Sequence, residues 1–102
     1  MADDIRLSGP ILRVLKFMLE NPREGRSGAE VSKVLGIGSG TLYPLLFRLE
    51  SAGWLKSDWE AVDPSVVGRP RRRFYRLTGQ GQTKAHRALA ELQTGPGVLA
   101  WN

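Results

Sequence analysis

Arg69, Arg71, Arg72, Arg73 and Arg76 put five guanidinium groups into eight consecutive residues. Arginine forks match phosphate oxygens, and Gly68 and Pro70 place the cluster in a turn where it can reach a polyanion. The charge is uneven along the 102-residue chain. Residues 1–63 carry eight Lys/Arg against nine Asp/Glu, whereas residues 64–102 carry seven against one. A charge run alone is usually a solvated loop, so its neighbours decide what it does. Other chemistry finds little support. His86 is the only histidine, with no nucleophile near it in sequence, and there are no cysteines. No H-x-x-x-H pattern or carboxylate cluster suggests a metal, no cofactor is expected, and an enzyme is the weaker reading.

A second feature could touch phosphate. Gly36, Gly38 and Gly40 alternate ahead of the apolar run Leu42–Leu49. A nucleotide-binding glycine loop follows a strand within a βαβ unit. This one follows a helical pattern and has no G-x-x-x-x-G-K spacing. The glycines therefore predict a tight turn between two helices, with open amides at the start of the second that favour an anion such as the DNA backbone.

The elements around these residues follow from caps and periodicity. Ser8 and Pro10 predict the start of a first helix rich in apolar residues, stopped by Asn21-Pro22. Ser27 and Glu30 form an S-x-x-E capping box for a short second helix that ends at Gly36. Ser39 is expected to cap a third helix. Its stripe, Leu42, Leu45, Leu46, Leu49 and Ala52, predicts a core face, and Gly53 closes it. Gly40, Thr41, Pro44, Phe47, Arg48 and Ser51 then point outward, with Tyr43 on the flank. Tyr43 and Phe47 could instead pack at the core margin. A helix, a three-residue glycine turn and a helix make a helix-turn-helix. Two strands follow, Trp54–Glu60 and Arg72–Thr78, around the basic loop, and together they predict a wing. Leu55, Ser57 and Trp59 are expected on one strand face, Tyr75 and Leu77 on another. A fourth helix is expected from about Thr78 to Leu92, with residues 95–102 as a loose tail.

GTLYPLLFRLESAGWL and GRPRRRFYRLT resemble the two signature stretches of PadR-type transcriptional regulators, over roughly Ile11 to Leu92. That resemblance implies a winged-helix, dimeric repressor whose third helix reads the major groove and whose C-terminal helix builds the dimer. By motif match it places Thr41, Tyr43, Pro44 and Arg48 on the recognition helix and Gly68 through Arg73 on the wing. Ala29 departs from the pattern, standing where the family often has an aromatic.

The expectation is a mainly α winged helix-turn-helix with a two-stranded wing. Residues 1–77 would form the DNA-binding unit and 78–94 a dimerisation helix. Ser39, Gly40, Thr41, Tyr43, Pro44 and Arg48 would contact DNA from the recognition helix, and Arg69, Arg71, Arg72 and Arg73 from the wing. Leu12, Leu15, Ala85, Ala88, Leu89 and Leu92 would join a homodimer on a pseudo-palindromic operator, because the first and fourth helices carry more apolar surface than the domain can cover. A small-molecule effector is left open: Trp54, Trp59 and Trp101 could line a pocket between subunits or could be plain core and tail. The alternative is a winged-helix protein–protein module. The acidic start MADDIRLSG predicts no signal peptide, and no run approaches 18 apolar residues. With no cysteine, these features fit the cytoplasm.

Overall fold

A computed structural model of the chain describes residues 7–94, and side chains as far as Glu91. The expected tail, with Trp101, lies outside the described residues, as does the side chain of Leu92. Helix α1 (Gly9–Glu20) starts where Ser8 Oγ accepts from the Ile11 amide, with Pro10 in the first turn. It buries Ile11, Leu12, Val14, Leu15 and Met18. Helix α2 (Gly28–Leu35) is capped by Ser27, whose Oγ accepts from the Glu30 amide at 3.1 Å. Glu30 completes only half of a capping box. Its carboxylate accepts from Arg26 Nη1 at 2.8 Å rather than from the Ser27 amide.

Gly36 takes φ 67°, the left-handed cap that only glycine adopts cheaply, and its amide donates to the Ser32 carbonyl. Ile37 is buried and pins the turn to the core. Helix α3 (Ser39–Ser51) then begins with Gly38 as its N-cap and no side-chain cap. Ser39 was expected in that role. It is instead the first helical residue and is exposed, because the chain enters the helix one residue earlier. The leucine stripe is buried as the spacing requires: Leu42, Leu45, Leu46 and Leu49 lie in the core with Ala52. The helix ends in a Schellman motif. The Gly53 amide donates to Glu50 and the Trp54 amide to Leu49, with Gly53 at φ 84°.

The sheet has three strands rather than two. Strand β2 (Leu55–Trp59) and strand β3 (Arg73–Leu77) pair antiparallel, with Leu55 opposite Leu77 and Trp59 opposite Arg73. A two-residue strand β1 (Arg26–Ser27) pairs on the other side of β3, giving the order β1-β3-β2. Two residues carry no readable periodicity, which hides β1 from sequence analysis. The loop between β2 and β3 also contains a one-turn helix, α4 (Pro64–Val67). Asp63 caps it and Gly68, at φ 73°, ends it.

Helix α5 (Gly79–Thr94) is held at its start by Thr78. Thr78 Oγ1 accepts from the Gly81 amide at 2.9 Å and donates to the Gly53 carbonyl at 2.7 Å. α5 packs along α1 within the chain. Leu12, Leu15, Ala85 and Ala88, expected at a dimer seam, are buried by this packing and keep almost no surface to offer a second chain. The two helices cover each other, which the sequence analysis did not anticipate. Of that set with described side chains, Leu89 alone is half-exposed.

The approach of α5 to the end of α3 is close enough to forbid a side chain at Gly81, where a Cβ would lie 2.0 Å from the Trp54 carbonyl oxygen. Gly79, two residues earlier, faces open space. Gly81→Ala is therefore expected to destabilise the fold by ~1–3 kcal/mol through overpacking against backbone. Gly79→Ala should leave stability unchanged or raise it by up to ~1 kcal/mol. Thermal melts of the two variants check this; equal melting temperatures would contradict it.

Candidate nucleic-acid interface

Burying the leucine stripe turns the opposite side of α3 to solvent. Gly40, Pro44, Phe47 and Ser51 fall on the centre line of that face, with Thr41 and Arg48 along one flank and Tyr43 along the other. All seven are exposed, as is Ser39 at the helix start. Phe47 is 69% exposed and Tyr43 44%. Phe47 therefore does not pack at the core margin. Tyr43 does so in part, with its ring against the buried Gly28. A Cβ on Gly28 would lie 2.6 Å from the tyrosine Cε1 and hydroxyl oxygen, so only glycine leaves room for it. Pro44 costs the helix its bond to the Gly40 carbonyl, which lies at an exposed residue where water can take its place.

At its N-terminus, α3 makes its first intrahelical bonds from Thr41 and Leu42 to the Gly38 carbonyl. The amides of Ser39 and Gly40 precede that ladder and no side chain caps them. Open amides and the helix dipole together favour an anion there.

The wing is joined to α3 by a charged bridge. Ser57 Oγ donates to Glu50 Oε2 at 2.5 Å. Arg73 Nε donates to Ser57 Oγ at 2.8 Å, and Arg73 Nη2 lies 3.5 Å from Glu50 Oε2. The same guanidinium sits 5.1 Å over the Trp59 ring. Trp59 shares a strand face with Leu55 but lies past the end of the core and is 61% exposed. Tyr43, Phe47, Glu50, Ser51, Arg73 and Tyr75 line an open groove between α3 and the sheet. Burial pushes the Tyr75 phenol above its ordinary value, against the opposing pull of Arg73.

The arginine cluster divides in two. Arg69 grips Glu60 with both arms, Nη1 to Oε1 at 2.7 Å and Nη2 to Oε2 at 3.0 Å. The Arg72 amide also donates to Glu60 Oε1 at 3.2 Å, and the Glu60 amide returns a bond to the Arg72 carbonyl. Arg69 and Arg73 thus serve as wing braces. Each has a carboxylate partner, and Arg73 stays exposed. Arg76 is half-buried, and its Nε has no hydrogen-bond partner among the described residues. Arg71 and Arg72 remain exposed at the wing. Arg71 is aimed by a bond from Nε to the Val62 carbonyl at 2.9 Å, and the Arg72 guanidinium makes no hydrogen bond or ion pair among the described residues.

Glu50, Ser57, Glu60 and Gly28 were not singled out by sequence analysis. Their partners lie 7 to 23 positions away for Glu50 and 9 to 12 for Glu60, set by strand register rather than local spacing. Trp54 is buried in the core and Trp59 stands on the wing, so these two tryptophans do not share a pocket. No group of three His, Cys, Asp or Glu side chains among the described residues could hold a metal.

The Arg69 hydrogen bonds push the Glu60 carboxyl down from the ordinary 4.5 to about 2, helped by the Arg72 amide and both nearby cations. A depressed acid stabilises the folded wing above its unfolded value and loses that contribution as pH falls through the folded one. The brace is thus complete above pH 4.5 and fails progressively towards pH 2. In a carboxyl NMR titration, Glu60 should titrate near 2 in the wild type and move back towards 4.5 in Arg69→Ala. An unshifted Glu60 in the wild type would contradict the brace.

Comparison with known proteins agrees with this architecture. The model of the transcriptional regulator PadR-like family matches residues 14–87. A transcriptional regulator homologue from Pyrococcus horikoshii OT3 is similar at 26% identity and TM-score 0.67, over 81% of this chain and 75% of that one. A MarR variant from E. coli matches at 20% identity and TM-score 0.71, over 86% of this chain and 59% of that one. AbfR of Staphylococcus epidermidis matches at 23% identity and TM-score 0.65, over 82% of this chain and 52% of that one. Reduced AbfR bound to DNA matches at 23% identity and TM-score 0.65, over 92% of this chain and 58% of that one. The chain therefore spans just over half the length of the MarR and AbfR chains, and at these identities they share its fold. No curated protein matches the sequence. The family match extends from the middle of α1 through the helix-turn-helix and wing into α5, and the chain belongs to the PadR-like family of transcriptional regulators.

Proposed function

We propose that this transcriptional regulator is a sequence-specific binder of double-stranded DNA that acts in the cytoplasm as a two-fold dimeric repressor. The observation that carries this reading is the outer face of α3. Its N-terminal amides are uncapped, its side chains are exposed, and the braced wing stands beside it with Arg71 and Arg72 outward. In this reading the start of α3, with Ser39, Gly40 and Thr41, approaches the backbone and base edges of the major groove. Arg48 reaches a guanine edge, and the wing settles on phosphate. The neighbour solved on DNA, AbfR, shares the fold that this docking needs.

The wing should supply affinity rather than sequence choice. Arg71→Ala combined with Arg72→Ala is expected to weaken binding to all duplexes alike and to lower the salt slope by about 1–2. Titrations of one duplex across salt concentrations check this. An unchanged slope would contradict it. The competing reading, a winged-helix protein-contact module, has one observation in its favour: Val66 and Val67 are exposed at the wing tip, Val66 at 80%. It predicts no steep salt dependence at all.

Residues 1–77 form the reading unit in this proposal, and α5 the dimer element. Because α1 and the inner face of α5 are committed to each other, the seam falls on the half-exposed edge of that face at Leu89. A closed isologous pair is the commonest arrangement for such a surface. It would set two α3 helices about 34 Å apart, on half-sites of a pseudo-palindrome about 10 base pairs apart. Sedimentation should give twice the chain mass for the wild type and about once for Leu89→Asp, with operator affinity falling towards the nonspecific level. A monomeric wild type that binds one half-site tightly would refute the dimer.

A further inference from the structure

The centre line of the α3 outer face has an unusual chemistry for a surface that meets base edges. Gly40, Pro44 and Phe47 carry no hydrogen-bonding side-chain atom, and Ser51 comes only at the end of the helix. The side chains able to form polar base contacts stand off that line, Thr41 and Arg48 on one flank, Tyr43 on the other and Ser39 at the helix start. Phe47 is the most exposed aromatic among the described residues. It lies on the side of the helix opposite the buried leucines, one position before Arg48.

We infer that Phe47 is a specificity-determining residue that packs on the C5-methyl group of a thymine in the major groove, beside the base edge that Arg48 contacts. The inference rests on the proposed DNA-binding reading and adds to it the base that this position selects. In the major groove each base pair presents a pattern of donors and acceptors, and thymine alone of the four bases presents a methyl group. A side chain with no donor or acceptor cannot distinguish the polar patterns by bonding to them. It can distinguish the methyl by burying it, and it disfavours the cytosine amino group by leaving that donor unpaired. The neighbouring surface favours the same outcome. Gly40 and Pro44 hold that side of the helix low, so the Phe47 ring projects furthest from it. Tyr43 is turned aside onto Gly28 and does not cover the ring, which leaves Phe47 exposed.

The test uses the full chain and duplexes selected from a random pool. Each thymine of the selected site is replaced in turn by deoxyuridine, which removes the methyl and nothing else. Wild-type affinity should fall about fourfold at one position per half-site, the value of one buried methyl-sized group. Phe47→Ala should bind the thymine and deoxyuridine duplexes equally at that position, while keeping the wild-type melting temperature because the residue is exposed. Indifference of the wild type to every thymine-to-deoxyuridine change would overturn the inference without any variant. So would a Phe47→Ala protein that still discriminates at every sensitive position. Failure of the wild type to select any sequence would instead overturn the DNA-binding reading, and the inference with it.

Discussion

Burial of Leu42, Leu45, Leu46 and Leu49 fixes the rotation of α3 about its own axis, and the whole candidate interface depends on that angle. Each residue advances a helix by about 100°, so seating four leucines in the core shared with α2 and β2 leaves no freedom for the rest. Gly40, Pro44, Phe47 and Ser51 must face away. A slip of one residue would bury Phe47 or Pro44 and expose a leucine. The turn before the helix enforces the same geometry from outside, since left-handed Gly36 and buried Ile37 deliver the chain to Gly38 at one position and one angle.

Electrostatics then sorts what the leucines have placed. Five arginines along one loop and the strand that follows it would repel one another and leave the loop without a single shape. Two acidic side chains resolve this. Glu60 takes Arg69 and closes the wing upon itself, while Glu50, through Ser57, takes Arg73 and ties the wing to α3. Arg71 and Arg72 are thereby presented from a braced loop at a set distance from the helix that would enter the groove. Holding contact groups in place before binding reduces the ordering cost at the moment of association.

Much of this fold was legible in the residues. The Ser27 cap, the glycine ends of α2 and α3, and the leucine stripe are local signals with a local physical cause. The winged helix-turn-helix follows from their order. What could not be read depends on pairings far apart in the chain. Strand β1 exists only because β3 offers Arg26 and Ser27 an edge to pair with. The ion pairs of Arg69 and Arg73 were hidden because their carboxylate partners arrive through strand register. The apolar surplus of α1 and α5 looked like an interface because nothing local shows that the two helices meet. For the candidate site, the outward set on α3 was visible from periodicity. The exposure of Phe47 and the seating of Tyr43 on Gly28 needed the packed structure.

In the proposed function the outer face of α3 and the tip of the braced wing form one DNA-contacting surface. An amide chemical-shift map of the chain titrated with duplex DNA addresses it directly. The largest shifts should fall on Gly38–Arg48 and on Arg71 and Arg72. The separate groove between α1 and α2, lined by Arg13, Lys16, Phe17 and Val34, should stay still. Shifts concentrated in that second groove, with α3 unmoved, would contradict it.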